Sequence, residues 1–229
     1  MTQAIGGDDD REAHEVDRTN RVAAAVGAHV GDRQPRLTLS ADAVARARAV
    51  LADHELDPAR TLLLCPFAQW PWKQWPEEHY RQLVPWLRDR GYRVAVTGSA
   101  ASAGDAETLA RAAGGHLVNL AGKADLKALA GLFFLCRAFI AVDSGPAHLA
   151  AAAGAPGIVL FGSSNPARFG PISRTVQLLQ STTCPRYPCY QRGECQNREN
   201  WCMRNIAVAE VQNALQTILA DRSRAPGSP

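Results

Sequence analysis

Apolar residues recur along this chain in two rhythms, and the alternation between them predicts most of its architecture. Over residues 14–26 the apolar positions Val16, Ala23 and Val26 stand among charged residues, a helical spacing that Gly27 terminates. A loop through Pro35 leads to Leu37-Thr38-Leu39, and Ser40 then caps a second helix with the stripe Val44, Ala47 and Leu51, ending near residue 54. Beyond Pro58, short apolar runs alternate with amphipathic stretches. The runs 62–65, 92–97, 117–119, 139–142, 157–161 and 175–179 read as strands. Between them, 77–90 carries Tyr80, Leu83, Val84 and Leu87 on one helical face, and helices are also predicted over 105–113, 125–135 and 209–220, with another opening before 149–153. Strands buried on both faces and separated by helices imply a parallel sheet covered on both sides. The predicted class is α/β, a doubly wound Rossmann-like sheet.

Composition narrows the function classes. With 229 residues, 46% of them hydrophobic and 21% charged, the chain can bury one sizeable core. A net charge of +3, without a basic cluster interleaved with aromatics, gives no support to nucleic-acid binding. The weakly polar stretch 149–162 is broken by Gly154, Pro156 and Gly157 and is too short for a transmembrane segment. The acidic, polar start does not read as a signal peptide, so the expected location is cytoplasmic, with reduced thiols. Residues 1–12, which contain Asp8-Asp9-Asp10, and the tail 222–229 are expected to be disordered.

Three loops at predicted carboxyl ends of strands carry the candidate chemistry. Asp143-Ser144-Gly145-Pro146-Ala147-His148 joins a buried strand to a helix, where backbone N–H groups and the helix dipole can face an anion. Asp143 would offer its carboxylate to sugar hydroxyls rather than to phosphate, because two anions repel in a dry site. Ser144 and Gly145 supply donors, Pro146 suits the first helical turn, and His148 points to the same rim. An ordinary N-capped turn is the alternative reading of these six residues. In the loop 66–76, Lys73 stands among Trp70, Trp72 and Trp75, so it either neutralises a phosphate or is a solvated lysine beside a packing loop. The turn residues 162–168 could approach a ligand or form a plain turn, and Gly98-Ser99 is the weakest signal.

Taken together, Lys73-x-Trp75-Pro76, the Gly98 turn, Asn119-Leu120-Ala121-Gly122-Lys123, Asp143-Ser144-Gly145-Pro146-x-His148 and Phe161-Gly162-x-x-x-Pro166 resemble the ADP-heptose:lipopolysaccharide heptosyltransferases, glycosyltransferase family nine, in order and spacing. The resemblance covers residues 14–219 or so. It implies a two-domain GT-B fold, of which this chain is mainly the C-terminal donor-binding half. It implies inverting transfer from ADP-heptose or a related nucleotide sugar to a lipopolysaccharide core acceptor, with no cofactor or metal required for catalysis. Carried over by position, Lys73 meets the donor diphosphate and Asp143 the donor sugar, while Ser144, Gly145, Pro146, His148 and Gly98 complete the donor site.

The family's general base belongs to an N-terminal acceptor domain. Only about sixty residues precede the first sheet strand here, fewer than a typical domain, so that domain is read as missing or as a separate chain. Residues 13–58 are then crossover helices and 59–221 the donor domain, inactive when isolated. The alternative is a non-catalytic nucleotide-sugar-binding module or a truncated remnant; an epimerase of the GT-B type draws no support from the five loops. Peripheral attachment at the inner membrane face follows by analogy from the acceptor lipid. Two departures stand out: Cys65-Pro66-Phe67 replaces the family's frequent His-Pro-Gly, and no acidic residue immediately follows Gly98-Ser99, leaving Asp105 or Glu107 as substitutes for ribose binding.

Cys184, Cys189, Cys195 and Cys202 cluster late in the chain. Their spacings are wider than zinc-finger pairs, so a structural zinc, a disulfide and reduced thiols all remain open. Cys65 and Cys136 read as core residues.

Overall fold

A computed structural model describes residues 13–29, 31–184, 187, 189 and 200–221. The expectations for residues 1–12, 222–229 and Cys195 lie outside the described residues. Six parallel strands form one sheet: β1 (Thr61–Cys65), β2 (Arg93–Val96), β3 (Leu117–Asn119), β4 (Ala138–Val142), β5 (Gly157–Phe161) and β6 (Val176–Gln180). Their spatial order is β3-β2-β1-β4-β5-β6, the doubly wound order in which the winding reverses between β1 and β4. Those two strands run in register, with Leu62 beside Ala138 and Cys65 beside Ala141.

The period-two geometry of a strand divides the core into two layers. Leu62, Leu64, Val94, Val96, Ile140, Val142, Ile158 and Leu160 face one way. They pack against α3 (Glu77–Arg88), α4 (Ala103–Ala112) and α9 (Val208–Ala220). Leu63, Cys65, Ala95, Phe139, Ala141, Val159 and Phe161 face the other way, against α2 (Ala41–Asp53), α5 (Leu126–Leu135) and α6 (Gly145–Ala152). Every residue of β1, β4 and β5 is buried, which is why these strands, apart from Thr61 at the start of β1, carry no polar side chain and do not alternate. Among the described residues no helix is long and apolar enough to cross a membrane.

The predicted elements are present, with adjusted ends. The helix expected over 77–90 stops at Arg88, because residues 89–91 form a turn closed by Gly91 at φ 78°. The helix expected from 105 begins at Ala103, where a 3-10 turn at Ala100–Ser102 feeds it. Two helices of four residues, α7 (Pro166–Phe169) and α8 (Trp201–Arg204), are too short to leave a periodic signal. α1 (Glu15–Ala25) differs from the rest: none of its described residues is buried, and its amino end reaches α7.

Candidate functional site

The β1–α3 loop is braced before it reaches its lysine. Trp75 is 3% exposed, stacks on His79 with centroids 4.9 Å apart, meets Tyr80 edge-on and donates its indole N–H to the Ile206 carbonyl at 3.0 Å. Asn200 donates to the Gln74 carbonyl at 2.7 Å. Trp70 and Trp72 stack with centroids 5.1 Å apart, and Pro71–Lys73 winds into a 3-10 turn between these anchors. The loop therefore presents Lys73 from a supported frame.

Lys73 Nζ lies 2.5 Å from Oδ2 of Asp143, the residue directly after β4. The pair spans the reversal point between β1 and β4, at the carboxyl edge where open α/β sheets bind ligands. Asp143 is 9% exposed and Lys73 22%, and the Ser164 hydroxyl after β5 donates to the same Asp143 oxygen. The carboxylate thus has two donors on one oxygen.

Around the pair opens a cleft of about 570 Å³ whose walls include His14, Glu15, Trp70, His148, Arg168 and Phe169. His14 fixes its far wall: Nδ1 accepts from the Val16 N–H at 3.1 Å, and Nε2 stands 2.8 Å from the Gly170 carbonyl, so the ring carries its proton on Nε2. Arg168 closes on Glu15 at 2.6 Å. Burial opposes ionisation of Glu15, but hydrogen bonds from Arg168 and Arg18 outweigh it and hold the carboxyl below its usual range. His148 is exposed at the rim, yet crowding by surrounding protein lowers its pKa; Asp143 works against that shift, and His14 and Lys73 add to it.

A larger cleft of about 690 Å³ lies between residues 32–39 and the carboxyl end of α6. Because α6 runs back against the strands, that end faces the amino edge of the sheet, away from the reversal point. The smaller cleft, which holds the Lys73–Asp143 pair and His148, is the candidate site.

Of the residues singled out in the sequence, Lys73, Asp143 and His148 meet in this cleft. Ser144 is the N-cap residue of α6 and Gly145 and Pro146 its first two residues, none of them among the residues that line the cleft, and Ser144 Oγ turns back to donate to the Val142 carbonyl at 3.0 Å instead of capping α6. Gly98 lies one strand away, after β2. A Cβ there would stand 3.0 Å from the Phe67 ring, so its bareness serves packing of the β1 loop. Glu107 Oε2 accepts weakly from Asn119 at 3.4 Å, and Asp105 lines a separate small cleft beside Phe67 and Tyr80. Sequence reasoning noted the 162–168 turn without assigning Ser164 or Arg168, and it missed His14 and Glu15. No local pattern marks a residue that reaches a site by long-range packing.

The four-cysteine zinc expectation gains no support. Among the described residues, which exclude Cys195, no group of three His, Cys, Asp or Glu side chains is arranged to hold a metal. Cys202 instead packs in the core at 5% exposure.

The sheet order and a cation–carboxylate pair at its reversal point define a Rossmann-like domain with an anion-compatible cleft. The chain belongs to glycosyltransferase family 9 (heptosyltransferase), whose family model matches residues 6–199. It is 31% identical over 177 residues to lipopolysaccharide heptosyltransferase 2 of Salmonella typhimurium, covering 74% of this chain and 50% of that protein. It is 38% identical over 151 residues to lipopolysaccharide heptosyltransferase 1 of Pseudomonas aeruginosa, covering 63% and 40%. The solved structure of Escherichia coli ADP-heptose lipopolysaccharide heptosyltransferase II superposes with a TM-score of 0.68 at 27% identity, over 83% of this chain and 55% of that one. A family 9 glycosyltransferase from Veillonella parvula has the same fold, with a TM-score of 0.78 at 22% identity over 96% and 63%. The chain spans half or less of the length of these two curated relatives.

Proposed function

We propose that this chain is the donor-binding half of a heptosyltransferase-like glycosyltransferase, and that the cleft at Lys73 and Asp143 takes the diphosphate and sugar of ADP-heptose or a related nucleotide sugar. The observation that carries the reading is the 2.5 Å Lys73–Asp143 pair at the β1/β4 reversal point. Without a ligand the two charges neutralise each other. With a donor bound, Lys73 turns to the phosphate oxygens and Asp143 accepts from sugar hydroxyls, keeping the Ser164 hydroxyl as its internal partner.

The chemistry follows from where charge develops. As the bond from the anomeric carbon to the phosphate oxygen breaks, negative charge builds on the leaving diphosphate. A cation already held at that place stabilises it without reorganising solvent. Trp70 lines the cleft beside the pair, and an apolar wall at that place raises the effective strength of the interaction. The acceptor, a lipopolysaccharide core sugar on this reading, attacks from the opposite face and inverts the anomeric centre. The base that takes its proton is sought in the portion of the longer relatives that this chain does not span. Residues 13–58, with α1 and α2, then serve as the crossover between the two halves.

Calorimetric titration with ADP and ADP-heptose tests the reading. Lys73→Ala is expected to weaken both ligands by about tenfold to a hundredfold, the range of a lost charged hydrogen bond. Asp143→Asn is expected to weaken chiefly the sugar nucleotide. A folded wild-type chain that binds neither ligand overturns the assignment.

A further inference from the structure

The cleft holds a second ion pair built on the same plan as the first. Arg168 Nη2 and Nε stand 2.6 and 2.7 Å from Glu15 Oε1, joining α7 to α1 across the cleft wall. The Arg168 side chain is 20% exposed, close to the 22% of Lys73, and its guanidinium carbon sits 4.8 Å from the Phe169 ring centroid. Asn165 caps the start of α7 by accepting from the Ala167 N–H at 2.9 Å, which anchors the backbone that carries the arginine.

The resemblance between the pairs extends to their spare partners. Asp143 is bonded to Lys73 and also to Ser164. Glu15 is bonded to Arg168 and also to Arg18, at 2.9 Å. Each carboxylate can release its cleft cation and keep another donor: the buried Asp143, 9% exposed, is then not left unpaired, the step that makes breaking a buried pair costly, and Glu15, 38% exposed, also keeps its contact with water. A cation that can leave its carboxylate cheaply suits a ligand that arrives with its own negative charge. The planar fork of a guanidinium matches two phosphate oxygens at once, where an ammonium acts as a point charge.

We infer that Arg168 is a second diphosphate-binding residue of this cleft, held by Glu15 while the cleft is empty and transferred to the phosphate oxygens when a nucleoside diphosphate or its sugar ester binds. The inference rests on the donor-site reading above and adds to it. Glu15 becomes a positioning residue that competes with the ligand for Arg168 and thereby tunes donor affinity.

The test is a double-mutant cycle read by calorimetry of the full chain with ADP, with adenosine as the uncharged control. Arg168→Gln is expected to weaken ADP about tenfold and leave adenosine unchanged. Glu15→Gln is expected to tighten ADP severalfold, and this gain should vanish in the Arg168→Gln background. Both single variants break the same pair and should lower the melting temperature alike, so opposite effects on ADP separate ligand binding from structural support. A Glu15→Gln gain that persists without Arg168 reduces the effect to removal of a nearby negative charge and overturns the inference. So does an ADP affinity unmoved by Arg168→Gln while Lys73→Ala lowers it. If Lys73→Ala also leaves ADP binding unchanged, the donor-site reading fails first and this inference falls with it. If Arg168→Gln does not fold, loss of ADP tightening in Glu15→Gln overturns the inference alone.

Discussion

Trp75 and Ile206 are joined across 131 residues of sequence by an indole N–H to carbonyl hydrogen bond of 3.0 Å, so the lysine loop depends on the approach to the last helix. Both residues are buried. Trp75→Phe keeps most of the ring's apolar contact but leaves the Ile206 carbonyl without its partner. The expected loss is about 1–3 kcal/mol, the cost of an unsatisfied buried group. Urea unfolding should show a lower midpoint with an unchanged slope. ADP affinity should fall with it, because the frame that presents Lys73 loosens. An unchanged midpoint means that the carbonyl finds another partner.

Gly131 is where α5 lets α2 approach. A Cβ at this position would stand 2.6 Å from the Ala43 carbonyl oxygen and 2.8 Å from the Ala47 Cβ, and Ala43 and Ala47 are both buried. Since backbone is the obstacle, a rotamer change cannot relieve the clash, and α2 must shift as a body. Gly131→Ala should destabilise the fold by about 1–3 kcal/mol through overpacking, despite the better helix propensity of alanine. A thermal melt equal to that of the wild type would mean α2 is not held against this face in solution.

The strands were legible because β4, β5 and all of β1 after Thr61 are continuous apolar runs, the pattern of a doubly covered sheet. Helix caps were legible where a side chain makes the bond, as at Ser40, which accepts from the Ala43 N–H at 3.2 Å. Lys73 and Asp143 were found because each follows a recognisable strand, and the reversal of sheet order brings their loops together. The other wall of the cleft was not legible. His14 and Arg168 lie 154 positions apart, and α1 carries no buried stripe that would tie it to α7. Its attachment is polar, through Glu15 and the His14 ring, and polar long-range contacts leave no periodicity. Ser144 shows the reverse failure: a residue type suited to capping bonds to Val142 instead.

Cys65 and Cys136 test the core directly. Burial pushes both thiols up to about 12, and the Thr97 hydroxyl 3.1 Å from Cys65 Sγ only partly opposes the shift there. At mildly alkaline pH neither should react with iodoacetamide until the chain unfolds, since both the thiolate and access are lacking. Peptide mapping should find Cys184 and Cys189, which are partly exposed, labelled first. Labelling of Cys65 in the native protein at the rate of Cys184 would contradict the packing. Protection of Cys184 and Cys189 that a chelator removes would restore the case for a metal in that loop.

His148 should give the cleft a pH dependence of defined sign. In the unfolded chain an imidazole titrates at about 6.5. In the folded protein crowding lowers that value, with Asp143 opposing and His14 and Lys73 reinforcing the shift. Above pH 6.5 both states hold the neutral ring, and its contribution to stability is whole. As the pH falls below about 6.5 the unfolded chain takes up the proton first, so stability is lost until the folded ring protonates as well. His148→Gln should flatten this part of the stability profile below about pH 6.5. The same proton acts oppositely on an anionic ligand. ADP-glucose, whose diphosphate has no group titrating near neutrality, should bind wild type more tightly as the pH falls through this range, while the Gln variant should lose that component. Parallel affinity profiles for the two proteins would show that His148 does not sense the ligand's charge.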